Sequence, residues 1–452
     1  MNLQAALPML NNPPRSPRAG WRSAMMATPT LMLSDYWFLA GLILALLYMA
    51  DPFMLRLDKI GPTKHLPLMI SLGGVLLASI GHRLFPPLSR EPLPRWQILK
   101  AGLPLILLGI WIVIGSLYAR KHSGINNTFM TVGLYMLFTF LAARMIVLSP
   151  ARANIVRRYL LAAAGFSAFM VLRMAAGVSD KTMSYHELEA LIIPLAVYFA
   201  LRPAGPGLLG SRLMGAFMTL FFLAAGLVFR KNTGFLVLAM TMAYLWIVEW
   251  RFRFRESTSF RFVSMLWIVL MMIAGIAATA YLSQQRGALM PSGNPQYRLK
   301  TYEVAIDRFK HSPGWGTGFT APATEKFTAY EIDAAHGVLA THSDVLDLAA
   351  HGGVIALSLW LWGYVRISVI SMRYALGGRS RTDMRAAAHA LACMSLTSIV
   401  VYAFNPILLQ PAKAFLMWGQ LGMLLGVALH FSSHPGHVTS GSKTTAIIEI
   451  KP

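Results

Sequence analysis

Residues 340–360 read ATHSDVLDLAAHGGVIALSLW, so a short polar cluster leads directly into an apolar segment. The apolar run covers residues 344–366, and a helix needs about 20 mostly apolar residues to cross the hydrocarbon core of a bilayer. The stretch therefore predicts a membrane-spanning helix with polar and titratable groups at its entrance, among them Thr341, His342 and Asp344.

The composition of the whole chain agrees with this local reading. Its 452 residues are 56% hydrophobic and 13% charged, with a mean hydropathy of +0.54. Soluble domains carry about 25% charged residues. The single cysteine, Cys393, excludes an internal disulfide, so helix packing must hold the fold together. These observations predict an all-α polytopic membrane protein.

Twelve apolar runs predict about 12 transmembrane helices. They lie near residues 34–50, 66–81, 98–118, 125–148, 159–178, 187–201, 212–229, 233–250, 262–282, 344–366, 386–404 and 411–431. The resulting organisation is an N-terminal tail over 1–33, helices 1 to 9 over 34–282, a long loop over 283–343, helices 10 to 12 over 344–431, and a C-terminal tail over 432–452.

The distribution of basic residues predicts the orientation of the chain. Of 40 Lys and Arg residues, 24 lie on the side of both termini and 16 on the other, six of these in the long loop. Long loops are translocated regardless of charge, so the contrast places both termini in the cytoplasm and residues 283–343 outside. The net charge of +22 is thereby explained by membrane topology, which disfavours nucleic-acid binding. The first 33 residues lack the apolar core and cleavage site of a signal peptide.

Within the long loop, the run NPQYRLKTYEVAIDRFKHSPG predicts an amphipathic helix over residues 295–311. Asn294 and Pro295 are typical of a helix start, and the Ser-Pro-Gly sequence at 312–314 ends it. At about 100° per residue one face carries Arg298, Tyr302, Ala305 and Phe309, with Leu299 and Ile306 beside them. Arg298 on the covered face is either an interfacial or ion-paired side chain or a ligand for an anion.

His342 is the candidate catalytic residue. Thr341 and Asp344 have the spacing of a capping box, which would put His342 in the first turn of the tenth helix, near the positive end of its dipole. That position favours a neutral imidazole, and a neutral histidine beside water is a candidate general base. The alternative is a polar residue that simply marks the helix entrance.

Histidines and aspartates of this region also raise the question of a metal. They are His311, His336, His351, Asp333, Asp344 and Asp347. Their spacing matches neither a zinc helix nor an Asp-x-Asp motif, so no metal site is predicted.

Basic residues on the outer side suggest a different ligand. Arg173, Arg230 and Lys231 lie at the outer ends of predicted helices, on the same side as Arg298. Each alone is typical of an interfacial anchor, whereas several together would bind a strongly anionic group such as a diphosphate or lipid headgroups.

The order and spacing of these motifs resemble those of the O-antigen ligase and O-antigen polymerase superfamily. The signature is carried by YRLKTYEVAIDRFKHSPGWGTGF followed by THSDVLDLAAHGGV, at positions Arg298, Tyr302, Phe309, Pro313, Gly316, Gly318, His342, Leu348, Gly352 and Gly353. Two features depart from the family pattern: Ser343 and His351 stand where many relatives have Asn and Glu, and FRKNTG replaces a Ser-Arg-x-Gly-like element.

The resemblance implies a GT-C-like glycosyltransferase of the bacterial inner membrane, acting on its periplasmic side without cofactor or metal. The donor would be a glycan on undecaprenyl diphosphate and the acceptor lipid A–core oligosaccharide, both delivered within membrane lipids. His342 would deprotonate the acceptor, and Arg298, Arg230, Lys231 and Arg173 would bind the diphosphate. His336, Asp344 and Tyr302 are possible supporting or acceptor-binding residues.

Three alternatives stay open at this point. An O-antigen polymerase and a protein O-oligosaccharyltransferase share the donor chemistry, so the acceptor cannot be read from these motifs. A flippase or transporter for lipid-linked glycans belongs to another class. It is disfavoured because paired ionisable groups near the middle of the predicted spans are scarce.

Overall fold

The computed structural model describes residues 30–51, 61–84, 95–118, 129–176, 188–205, 211–228, 232–253, 294–319, 329–333, 337–377, 382–408 and 410–432. In this part of the chain helices form a bundle, and one antiparallel pair of strands lies in the segment before His342. The pair departs from the predicted all-α composition of the loop.

The elements are numbered in chain order. The helices are α1 (Leu33–Ala50), α2 (Leu66–Leu84), α3 (Arg95–Tyr118), α4 (Tyr135–Leu148), α5 (Arg152–Ala175), α6 (Glu189–Ile192), α7 (Leu195–Leu201), α8 (Arg212–Val228), α9 (Asn232–Arg253), α10 (Asn294–His311), α11 (Asp344–Gly377), α12 (Asp383–Phe404) and α13 (Pro411–Ser432). A 3-10 turn (Gly61–His65) precedes α2, and a π-helical turn (Phe129–Leu134) precedes α4. The strands are β1 (Ala329–Asp333) and β2 (Gly337–Ala340).

Eight of the described helices are long and apolar enough to cross a membrane, which confirms the predicted multi-pass helical architecture. Three shorter apolar helices, over 132–148, 189–201 and 212–227, lie where the fourth, sixth and seventh spans are predicted. Pro194 separates α6 from α7, as expected for a residue that cannot continue a helix. The predicted ninth span, 262–282, and nearly all of both tails lie outside the described residues, so the total of twelve stays a prediction.

The core of the bundle surrounds α13, whose apolar window is buried along its whole length. Three aromatic side chains from α11 and α12 contact Trp418 of α13 or one another. The Tyr364 ring lies 6.0 Å from Tyr402 and 5.8 Å from Trp418, both at steep angles. Trp360 meets Tyr402 edge-on at 5.4 Å. Because lipid supplies little hydrophobic drive between helices, such close packing is what stabilises their association.

Contacts between helix ends define the two ends of the bundle. At the start of α11, the Asp344 carboxylate accepts hydrogen bonds from the backbone N–H groups of Ile407 (2.8 Å) and Leu408 (3.1 Å), just before α13. At the other end of α13, His430 contacts Arg152, the first residue of α5, shortly after the end of α4. The starts of α11, α13 and α4 therefore lie together, at what is called the His342 end below.

Two further contacts extend this end of the bundle. His65, just before α2, is 2.6 Å from the hydroxyl of Tyr135, the first residue of α4. Near the end of α1, Tyr48 donates a hydrogen bond to the carbonyl of Thr63 at 3.2 Å. The end of α1 and the start of α2 therefore also lie at the His342 end, as alternating crossings require.

The loop segment folds against the start of α11. Helix α10 spans Asn294–His311, where the sequence predicts an amphipathic helix over 295–311. Strand β1 pairs with β2 in antiparallel register, with Tyr330 opposite Leu339. Ala305 of α10, Tyr330 of β1 and Ala350 of α11 form a small buried apolar cluster. This cluster fixes α10 and the hairpin beside the residues that lead to His342.

Candidate functional site

His342 lies in the turn between β2 and α11, half-buried, with a left-handed backbone conformation (φ 55°). Residues other than glycine adopt this region only rarely, and histidine is among those that tolerate it best. Its neighbours Thr341 and Ser343 are buried. Strained backbone of this kind persists only where the surroundings impose it, and it concentrates at functional sites.

Helix α11 begins differently from the prediction. The hydroxyl of Ser343 accepts the N–H of Leu346 at 3.3 Å, so Ser343 is the N-cap. The predicted capping box of Thr341 and Asp344 is wrong, and His342 precedes the helix instead of lying in its first turn. The reason is that Thr341 binds Asp347, while the Asp344 carboxylate is bonded to Ile407 and Leu408.

A buried carboxylate holds the His342 turn in place. The hydroxyl of Thr341 lies 2.8 Å from both oxygens of Asp347, and the Tyr330 hydroxyl donates to Asp347 at 2.7 Å. The N–H of Ser343 in turn donates to the Thr341 hydroxyl at 3.3 Å. Residues on both sides of His342 are thus bonded, directly or through one hydroxyl, to Asp347 in the first turn of α11.

Tyr330 joins three elements of the site. The guanidinium carbon of Arg308 lies 4.7 Å from the centroid of the Tyr330 ring. The ring of His351 stacks with the Tyr330 ring, with 5.8 Å between the two centroids. These contacts connect α10, β1 and α11. The roles of Tyr330, Arg308 and Asp347 were not predicted from the sequence. Helical periodicity places Arg308 only at the edge of the covered face of α10, and the sequence gives no signal for the carboxylate partner of Tyr330.

Helix α11 is interrupted at Gly353, which has φ 66° and ψ −168°. The turn after α10 inserts into this break: Thr317 and Gly318 donate their N–H groups to the carbonyls of Ala350 and His351 at 3.0 and 2.9 Å. Beyond the break, Val354 donates to the carbonyl of Pro313 at 2.8 Å. The backbone groups freed by the break are therefore satisfied within the protein, as a membrane helix requires.

The glycines of the motif are needed for this insertion. A Cβ atom on Gly353 would lie 2.3 Å from the carbonyl oxygen of Gly314, and one on Gly316 would lie 2.3 Å from the carbonyl of His351. Both glycines also have positive φ. The glycine-rich sequence GWGTGF and the pair Gly352-Gly353 thus form a single structural unit in which backbone meets backbone.

His351, one of the departures from the family pattern, belongs to the same unit. It is buried, and its Nδ1 donates a hydrogen bond to the Gly318 carbonyl at 2.7 Å. Trp111 of α3 donates from its indole nitrogen to the Gly352 carbonyl at 3.0 Å, and its ring contacts Trp315 at 5.1 Å. The inserted turn is thereby attached to both α3 and α11.

Arg298 lies on the covered face of α10, as predicted. Thr301 and Ala305 on that face are buried, while Arg298, Tyr302 and Phe309 are half-buried. The Nε atom of Arg298 is buried and has no hydrogen-bond partner among the residues that the structure describes. A buried guanidinium nitrogen in this state is a ready donor to an anion.

Leu299 and Ile306, expected beside this face, are instead exposed at 60% and 40%. Their angular positions on α10 are beside the covered face, but both side chains are exposed. Together with exposed Trp315 they present apolar surface next to a bundle of membrane-spanning helices. Such surface is typical of a helix that lies in the membrane interface.

The structure describes only some of the remaining predicted site residues. Arg173, at the end of α5, donates to the carbonyl of Asp51 at 3.1 Å, and so lies at the His342 end through α1. Arg230, Lys231 and His336 lie outside the described residues, so their placement relative to His342 stays a prediction. In the described part of the chain, no three His, Cys, Asp or Glu side chains are grouped to hold a metal.

Comparison with known families adds a result that agrees with this geometry. Residues 216–361 match the family model described as O-antigen ligase, roughly a third of the chain. The matched segment runs from α8 into α11 and includes Arg298, the inserted turn, His342 and Gly353. The predicted resemblance is thereby confirmed over these residues. Comparison with curated proteins gives no match.

Proposed function

From the match of residues 216–361 to the O-antigen ligase family, we propose that the protein is an O-antigen ligase. It would transfer a glycan from undecaprenyl diphosphate to lipid A–core oligosaccharide on the periplasmic side of the inner membrane. The observation that carries the proposal is the half-buried, left-handed His342 turn, bonded to buried Asp347 inside the matched segment.

His342 acts as the general base in this proposal. It takes the proton of the acceptor hydroxyl as that oxygen forms a bond to the anomeric carbon of the donor, and the proton then passes to water. The bond from the anomeric carbon to the diphosphate oxygen breaks in the same step. Displacement by the hydroxyl without a covalent intermediate inverts the anomeric centre. The left-handed turn supports this role because backbone strain of this kind concentrates at functional sites.

Arg298 binds the departing diphosphate. Its buried Nε, without a partner among the described residues, supports this assignment, since a guanidinium can donate two parallel hydrogen bonds to phosphate oxygens. Arg230, Lys231 and Arg173 complete the anion site in the proposal. Positive charge fixed at the position where negative charge develops lowers the barrier without a metal ion.

Asp344 and Tyr302 support the site in different ways. Asp344 fixes the start of α11 to the segment before α13 through Ile407 and Leu408. Tyr302 lies one turn beyond Arg298 on the covered face of α10. His336 stays a proposed acceptor-binding residue. The exposed apolar residues Leu299 and Ile306 are suitable for contact with the polyprenyl chain of the donor.

The test offers the purified full chain an undecaprenyl-diphosphate glycan together with one of three acceptors. These are lipid A–core, a second donor molecule and a serine-containing peptide. Modification of lipid A–core alone is expected. Modification of the second donor would make the protein a polymerase, and modification of the peptide a protein O-oligosaccharyltransferase.

A matched pair of variants separates transfer from transport. His342→Ala should reduce transfer by about 10²- to 10⁴-fold, while His311→Ala should leave it unchanged because the side chain of His311 is 74% exposed on α10. An assay of purified protein in detergent has no separate compartments, so it detects transfer and not transport. If none of the three acceptors is modified and the protein moves the donor across the membrane of vesicles, the protein is a flippase and the proposal is wrong.

A further inference from the structure

A groove of about 510 Å³ lies between α2 and α4, away from the candidate site. Its wall is mainly apolar, with Leu72, Leu76 and Ile80 from α2 and Leu141 from α4. Two arginines, Arg83 and Arg144, complete the lining, and no acidic residue lines it in the described part of the chain.

Both arginines lie at the end of the bundle opposite His342. Helices α2 and α4 begin together at the contact between His65 and Tyr135, so Arg83 and Arg144 lie near their other ends. From the two arginines, the apolar part of the groove runs along α2 and α4 towards the middle of the bundle. The Lys and Arg count places this opposite end on the cytoplasmic side.

The dimensions of the groove fit one leaflet of a bilayer. Leu72 and Arg83 are eleven residues apart on α2, which corresponds to about 16 Å along a helix at 1.5 Å per residue. Half of the hydrocarbon core of a bilayer is about 15 Å thick. A lipid with its phosphate at the arginines would therefore extend one acyl chain along the apolar wall to Leu72.

We propose that this groove binds an anionic phospholipid of the cytoplasmic leaflet. The two guanidiniums bind the phosphate, and the apolar wall of α2 and α4 holds an acyl chain. Charge complementarity selects phosphatidylglycerol or cardiolipin over zwitterionic lipids, because basic pockets between membrane helices favour anionic headgroups. The site is distinct from the donor site, which belongs to the His342 end, and it does not depend on the proposed transferase activity.

The test measures lipid retained by the purified full chain after reconstitution in nanodiscs of phosphatidylglycerol, cardiolipin, phosphatidylethanolamine or phosphatidylcholine. Native mass spectrometry should detect the first two on the wild type and not the last two. The double variant R83Q/R144Q should weaken retention roughly 10- to 30-fold, since each interfacial arginine contributes about fivefold. The control R158Q/R212Q removes two exposed arginines outside the groove and should retain lipid like the wild type.

A second variant tests the groove without altering its charge. Ser79 lies on the wall and bonds only within its own helix in the described structure, to Val75 at 2.8 Å. Ser79→Phe should fill the apolar part and reduce retention while both arginines stay. The proposal is overturned by equal retention of all four lipids, by unchanged retention in R83Q/R144Q, or by unchanged retention in Ser79→Phe. If R83Q/R144Q does not fold, lipid selectivity of the wild type and Ser79→Phe still decide.

Discussion

The hydroxyl of Tyr330 donates a 2.7 Å hydrogen bond to the buried carboxylate of Asp347, joining β1 to α11. Because Asp347 also binds Thr341, this bond helps to fix the residue that precedes His342. Tyr330→Phe keeps the ring contacts with Arg308 and His351 but removes the donor. We expect a loss of about 1–3 kcal/mol in stability, seen as a lower melting temperature, together with slower transfer.

The control for this substitution is Tyr36→Phe, since Tyr36 is 51% exposed on α1. Its melting temperature and transfer rate should equal those of the wild type. If Tyr330→Phe behaves in the same way, the bond to Asp347 has no part in holding the His342 turn.

His342→Gly separates a catalytic role from a structural one. Glycine adopts a φ of 55° without the penalty of about 1–2 kcal/mol that other residues incur, so relief of this strain should offset stability lost with the side chain and the variant should stay folded. Loss of the imidazole should nevertheless reduce kcat by about 10²- to 10⁴-fold, the range for a general base. Added imidazole should restore part of the rate. A stable variant with wild-type kcat would show that His342 is not the base.

The fold was largely predictable because its signals are local and periodic. Apolar run lengths predicted each described membrane helix, and Asn294-Pro295 with Ser312-Pro313-Gly314 predicted α10 to within a residue. Arg298 could be assigned to the covered face of α10 because helical periodicity alone determines which face of a helix a residue occupies. These features depend on residues close together in the sequence.

The features that were missed depend on partners distant in the sequence. Thr341 could cap a helix, but a carboxylate six residues later takes its hydroxyl, and Ser343 caps instead. The break at Gly353 exists because the turn after α10 inserts there, which the sequence between them does not indicate. The role of Tyr330 was missed for the same reason, since its partners Arg308 and Asp347 come from two other elements.

Gly353→Ala should prevent the turn after α10 from inserting into α11. The new Cβ would lie 2.3 Å from the Gly314 carbonyl oxygen, and alanine would also be strained at φ 66°. We expect a loss of more than about 2 kcal/mol in stability and a large loss of transfer. Gly109→Ala is the control, because a Cβ there meets nothing within 4 Å and alanine favours a helix. Equal melting temperatures for the two variants would contradict the role assigned to the break.

Removal of divalent metal should leave transfer unchanged. In the proposed mechanism, guanidinium groups neutralise the charge that develops on the diphosphate, so no cation is needed. The measurement compares the transfer rate in EDTA with the rate in added Mg²⁺ or Mn²⁺. A rate that disappears in EDTA and returns with a divalent ion would contradict the arginine mechanism.

Arg298→Lys tests the assigned diphosphate ligand. Lysine keeps the positive charge but cannot donate two parallel hydrogen bonds, so kcat/KM should fall by about 10- to 100-fold, as expected for loss of a charge-assisted hydrogen bond. Stability should change little, because Nε of Arg298 bonds no described residue. The control Arg158→Lys changes an exposed arginine on α5 and should transfer at the wild-type rate. Wild-type kcat/KM in Arg298→Lys would remove Arg298 from the diphosphate site, whereas equal losses of stability and rate would assign it a structural role.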